Sequence, residues 1–148
     1  MSNFTAKFLL VVAVLVFGGI SAANAQVSGG MILKVDIPNS FVIDNHTYPA
    51  GQYEISQTPN TIDAPSLLLL RGISNHETAI FDTIPTEALD AAAATQLVFN
   101  KVDDRFYLSK IVIKGDTIGN EIEPTKAEKL LIAAGKKKEV HTVDLTGF

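Results

Sequence analysis

Residues 34–56, KVDIPNSFVIDNHTYPAGQYEIS, constrain this chain more than any other stretch. Tyr53 and Ile55 lie two apart, as do Phe41 and Ile43 and, before them, Val35 and Ile37. That spacing puts side chains on one face of a strand. Pro38 ends the first strand, over Met31 to Ile37, because Pro donates no ladder hydrogen bond. Asp44-Asn45-His46 is turn chemistry. Pro49-Ala50-Gly51 suits a type II-like turn, in which Pro presets φ and Gly relieves the tight backbone after it. The stretch therefore reads as strand, tight turn, short strand, turn and strand, with an apolar face that the rest of the chain must cover.

The N-terminus is set apart from the fold. Lys7 precedes an apolar run from Phe8 to Ile20, and Ala23-Asn24-Ala25 fits an A-x-A cleavage site. These zones in this order predict a secretory signal peptide over 1–25 and a domain over 26–148. A membrane-spanning helix needs roughly 20 apolar residues, whereas this run is shorter and contains Gly18-Gly19. The chain has no Cys, which excludes disulfides and a Cys-linked lipid anchor. No stable membrane anchor is expected after cleavage, and the core alone must hold the domain. Lys and Arg total 12 against 16 Asp and Glu, and removing Lys7 leaves the domain still more acidic. That balance argues against nucleic acid and anionic membranes as partners. Lys136-Lys137-Lys138 is the sole basic cluster and reads as a solvated turn.

Later segments follow the same grammar. Thr58 to Pro65 reads as a loop with a short strand at Thr61-Ile62. Leu67 to Arg71 is too closely bounded by Pro65 and Gly72 for a helix, and its continuous apolar run predicts a strand buried on both faces. Glu77 to Thr83 alternates as a strand. The Ala-rich segment from Glu87 to Thr95 suits a short helix or an ordered loop. Gln96 to Val102, the Asp103-Asp104 turn and Arg105 to Ile113 form the clearest hairpin, with a bulge near Ser109 and with Phe99 and Leu108 in the core. Ile118 to Ile122 is a weak strand. Thr125 and Glu128 have capping-box spacing ahead of a helix that Gly135 ends, and the three Lys lie at its negative end. Val140 to Leu145 closes the chain as a strand. Eight or nine short strands and one C-terminal α-helix predict a mainly β, single-domain antiparallel barrel or sandwich. A closed barrel is the first expectation because closure removes exposed edges.

The chain resembles a large set of small exported bacterial proteins with no assigned function. The resemblance is carried by Val35-Asp36-Ile37-Pro38 with Phe41 and Ile43, Tyr48-Pro49-Ala50-Gly51 with Tyr53 and Ile55, and Leu69-Leu70-Arg71. Leu97-Val98-Phe99, Asp104 to Ser109 and Ala127-Glu128-Lys129 extend it over most of the domain. Asp103 stands where Gly is expected and Val112 where Trp is common. The resemblance implies a β domain with a C-terminal helix, and no activity.

Chemical signatures are sparse. His46, His76 and His141 lack the close pairing of metal sites. Asp103, Asp104, Asp116 and Glu121 lack calcium-loop spacing, and no G-x-S-x-G elbow occurs. Neither a cofactor nor a metal is expected. Arg105 with Tyr107 is the one candidate contact. Arg105 presents a fork suited to a ligand carboxylate, or instead makes a hairpin-end ion pair with an aromatic packed beneath. These features point to a non-enzymatic exported domain that binds an unknown protein or small ligand, or serves in the cell envelope. The alternative is a periplasmic carrier with a lipocalin-like cavity.

Overall fold

The computed structural model describes residues 31–58 and 66–145. The expected signal peptide over 1–25, the expected lead-in at Gly29-Gly30 and the expected short strand at Thr61-Ile62 lie outside the described residues. Eleven strands and one helix follow in order: β1 (Ile32–Ile37), β2 (Phe41–Ile43), β3 (His46–Tyr48), β4 (Gly51–Gln57), β5 (Leu67–Gly72), β6 (Thr78–Asp82), β7 (Ile84–Glu87), β8 (Gln96–Val102), β9 (Arg105–Val112), β10 (Ile118–Glu121), α1 (Lys126–Ala133) and β11 (Lys138–Asp144). One sheet runs β1-β4-β5-β6, the other β11-β8-β9-β10-β7, with β2 on β9 and β3 on β2. The chain passes between the sheets at Pro38–Ser40, at Pro49-Ala50 and at Thr83.

This is a sandwich of two sheets, and the closed barrel is not formed. β1 and β11 are the edges where closure would occur, and they do not pair. One core spans the layers. Val35, Ile37, Tyr53, Ile55, Leu68, Leu70 and Phe81 from one sheet meet Phe41, Ile43, Tyr48, Leu97, Phe99, Leu108 and Ile111 from the other. Thr83 ties the sheets together where the chain crosses. Its hydroxyl donates to the carbonyl of Ser66 at 2.9 Å and reaches Oδ1 of Asn120 at 3.4 Å.

The β8–β9 hairpin forms with its predicted bulge. Val98 pairs Lys110 and Phe99 pairs Leu108, so Ser109 is the extra residue. Its hydroxyl donates to the Val98 carbonyl at 3.1 Å. The bulge lets Leu108 and Ile111, three apart, both reach the core. Past it, β9 changes neighbour: Phe106-Tyr107 pair β2 and Lys110-Ile111 pair β10. The β2–β9 pairing is parallel, against the antiparallel expectation. Asp103 has φ 58°, the conformation that favours Gly and tolerates Asp.

Two expectations are corrected and one open alternative is decided. β5 is not buried on both faces: Leu68 and Leu70 are buried, Leu67 and Leu69 are half-buried and Arg71 is exposed, because one face of its sheet has no covering layer. Residues 88–95 are an ordered loop with no helix. Its backbone bonds outward, Ala88 and Ala92 donating to the carbonyls of Thr117 and Asp116 at 2.7 and 2.9 Å, which displaces the helical pattern. Short β3 and β7 bring the strand count above eight or nine.

Helix α1 covers the outer face of the second sheet, where Leu131 packs on Val42, Val102 and Tyr107. Thr125 caps it, its hydroxyl accepting from the Glu128 N–H at 3.0 Å. The other half of the capping box is diverted: the Glu128 carboxylate is buried and accepts from Asn100 Nδ2 at 2.9 Å. Gly135, at φ 84°, ends the helix. Lys136 N–H donates to the Leu131 carbonyl and Gly135 N–H to that of Ile132, a Schellman closure. Thr125→Ala is expected to cost about 1 kcal/mol, read as a lower denaturant midpoint at unchanged slope. An unchanged midpoint would remove Thr125 from the cap.

Candidate functional site

The unpaired edges β1 and β11 leave a seam down one side of the sandwich, and two clefts lie along it. The first, about 130 Å³, is lined by Ile37, Pro38, Phe41, Phe99, Phe106 and His141 to Val143. The second, about 360 Å³, lies between Lys34 to Asp36 and Asp144-Leu145, with Gln52 and Ile73. Strand alternation explains the lining. Glu139, His141 and Val143 share one face of β11, opposite Lys101, Phe99 and Leu97 on β8. The two-residue turn at Asp103-Asp104 sets Lys101 opposite Phe106.

Phe106 and His141 stand at the mouth of the first cleft, next to a charged group that lines a separate cleft. The His141 ring meets the Phe106 ring edge-on, with centroids 5.3 Å apart. Lys101 Nζ lies 5.6 Å from the Phe106 centroid, within cation–π range. Glu139 bonds Lys137 at 3.2 Å and lies 3.8 Å from His141 Nε2. The Lys137 ammonium that hydrogen-bonds Glu139 holds its carboxyl below the usual carboxylate range, and the charges of Lys101 and His141 act in the same direction. In Lys137→Ala the Glu139 carboxyl should titrate closer to the ordinary range, which NMR titration of its side-chain carbon would read. No upward movement would mean that the exposed pair is not formed in solution.

Behind the mouth, the cleft floor is fixed by packed rings. Phe41 stacks on Tyr48 and meets Tyr53 and Phe99 edge-on, with centroids 5.2–5.8 Å apart. Tyr53 is held by polar contacts as well, its hydroxyl donating to the Pro49 carbonyl at 2.6 Å and accepting from Asn75 Nδ2 at 2.8 Å. Burial pushes the Tyr53 phenol up, against the pull of the Asn75 bond. Burial likewise raises Tyr48, with Glu77 and Asp44 adding to it. Tyr48 edges a surface cleft of about 330 Å³ with His46 and Glu77.

The structure separates Arg105 and Tyr107. Both are on β9, but Arg105 is exposed while Tyr107 is 2% exposed beneath α1. The Tyr107 hydroxyl has no hydrogen-bond partner among the described residues. A ligand touching Arg105 would reach Tyr107 only if α1 moved. The expected hairpin-end ion pair of Arg105 is absent among the described residues, and Asp103 instead pairs with Lys136 at 3.0 Å. Glu121 pairs with Lys110 at 3.3 Å. No group of three metal-ligating side chains occurs among the described residues, and none of their helices is long and apolar enough to cross a membrane.

The seam itself has no motif. Lys101 opposite Phe106 follows from counting back from the turn, but His141 reaches Phe106 only through the β11–β8 register, which the sequence does not disclose. Comparison with family models, with curated proteins and with solved structures finds no match.

Proposed function

We propose that this chain is an exported, non-catalytic binding module that holds a protein or small ligand along the seam between β1 and β11. The observation that carries this reading is where the open space lies. Between the sheets the volume is taken by Phe41, Tyr53, Phe81 and Phe99, each buried to within 2%. The clefts lie instead beside two strand edges that can pair with an incoming backbone. A lipocalin-like carrier needs its hollow enclosed by the strands, so the filled core favours the binding module. The apolar and aromatic lining of the first cleft suits recognition by burial and orientation.

Export rests on the charge, apolar run and A-x-A order of residues 1–25. Intact mass of the protein from its own host should begin at Gln26, and a mass beginning at Met1 would refute cleavage. Native mass spectrometry of the same material tests the site. The reading expects a retained species that Phe106→Ala releases and Arg105→Ala keeps. The reverse pattern would place binding at the hairpin tip.

A further inference from the structure

We propose that two copies of this chain associate edge to edge through β11, antiparallel, with the two-fold axis at His141. This goes beyond the seam reading: a second copy on the β11 edge leaves the β1 edge of the seam free for an incoming backbone. β11 is seven residues long, pairs with β8 on one side and with no described strand on the other. Its residues from Lys138 to Thr142 are exposed, Val140 by 62%. A long exposed edge of this kind is a template for a further strand.

The charges on β11 select a second copy and one register. With His141 opposite its own counterpart, Lys138 faces Asp144 and Asp144 faces Lys138, so both ends of the paired ribbon carry opposite charges. Val140 faces Thr142 between them, two β-branched side chains on the same face. All seven residues are then paired. Sliding by two in either direction shortens the pairing to five residues and breaks both charge pairs, and a one-residue slip turns the wrong faces together. Parallel association in register would set like charges side by side. Lys138 makes no ion pair among the described residues, and Asp144 accepts one bond from Gln96 Nε2, at 2.6 Å. Both are therefore placed to take a partner across the edge. Glu139, His141 and Val143 lie on the cleft face of the strand, so the second copy continues the wall of the first cleft with its own three.

The test is sedimentation equilibrium of the protein purified from cells expressing the full chain. Wild type is expected as a monomer–dimer equilibrium. Lys138→Asp or Asp144→Lys alone converts both attractive pairs into repulsive ones and should weaken the dimer by at least about tenfold. The double variant Lys138→Asp/Asp144→Lys should regain it, as should mixing the two single variants, since each chain then brings the charges that the other lacks. Circular dichroism separates these results from misfolding. A wild-type monomer at all concentrations, a dimer indifferent to the single reversals, or failure of both the double variant and the mixture would overturn the proposal.

Discussion

Phe41→Ala is expected to cost about 3–5 kcal/mol. Phe41 is fully buried and contacts Tyr48, Tyr53 and Phe99. Truncation removes the apolar transfer energy, leaves a cavity between the sheets and deletes three aromatic contacts, each worth about 0.5–1.5 kcal/mol beyond its area. The residue also sits on β2, whose parallel pairing with β9 is only two residues long, Phe41 with Phe106 and Val42 with Tyr107. Domains of this kind are held by about 5–15 kcal/mol in total, and a chain without Cys has no covalent reserve. Chemical denaturation should show a much lower midpoint, or the variant should fail to accumulate. Phe99→Ala belongs in the same class, at 2% exposure, while Arg105→Ala should stay within about 1 kcal/mol of wild type. A wild-type midpoint for Phe41→Ala would mean that the two sheets do not meet at this ring.

Gly72→Ala is the second large effect, expected at about 2–3 kcal/mol. A Cβ on Gly72 would stand 1.7 Å from Asn75 Oδ1 and 2.8 Å from its Cγ, so Asn75 must leave. Asn75 is not free to go cheaply. Its Nδ2 donates to the Tyr53 hydroxyl at 2.8 Å, and its Oδ1 accepts from the Glu77 N–H at 3.1 Å. Displacing it strips both contacts and loosens a turn in which Gly72 N–H donates to the Glu77 carbonyl at 2.7 Å. The cause can be separated from a simple loss of backbone freedom. In the double variant Gly72→Ala/Asn75→Ala the clash is gone, so the cost should fall below the sum of the singles by more than about 0.5 kcal/mol. Strict additivity would show that Asn75 does not occupy this space.

What the sequence disclosed and what it hid divide by range. The hairpin, its bulge at Ser109 and the Thr125 cap are local, set by alternation, turn residues and capping chemistry within a few positions. So are the core positions of Phe99 and Leu108, since one hairpin register fixes both. The Ala-rich segment at 91–94 shows the limit of local propensity: loop 115–117 supplies backbone partners that a helix cannot use. Glu128 was legible as a capping residue, yet burial against Asn100 outweighed the cap. Barrel against sandwich turned on whether β1 and β11 pair, a question about two strands about a hundred residues apart. The seam is hidden for the same reason. Its residues come from β1, β2, β8, β9 and β11, and no spacing in the chain links Ile37 to His141. Arg105 and Tyr107 stood out because a charged-aromatic cluster is visible in one dimension, whereas α1 covers one and not the other in three.

Amide hydrogen exchange on the protein with and without its retained partner tests the seam most directly. Exchange reports opening and protection residue by residue, and in the stripped protein, diluted until it is monomeric, the free edges of β1 and β11 should exchange early. The account predicts that the partner adds protection over Ile32–Ile37 and Lys138–Asp144, and leaves the Asp103–Arg105 tip unchanged. Protection confined to that tip and to Lys126–Ala133, with both edges unaltered, would contradict it.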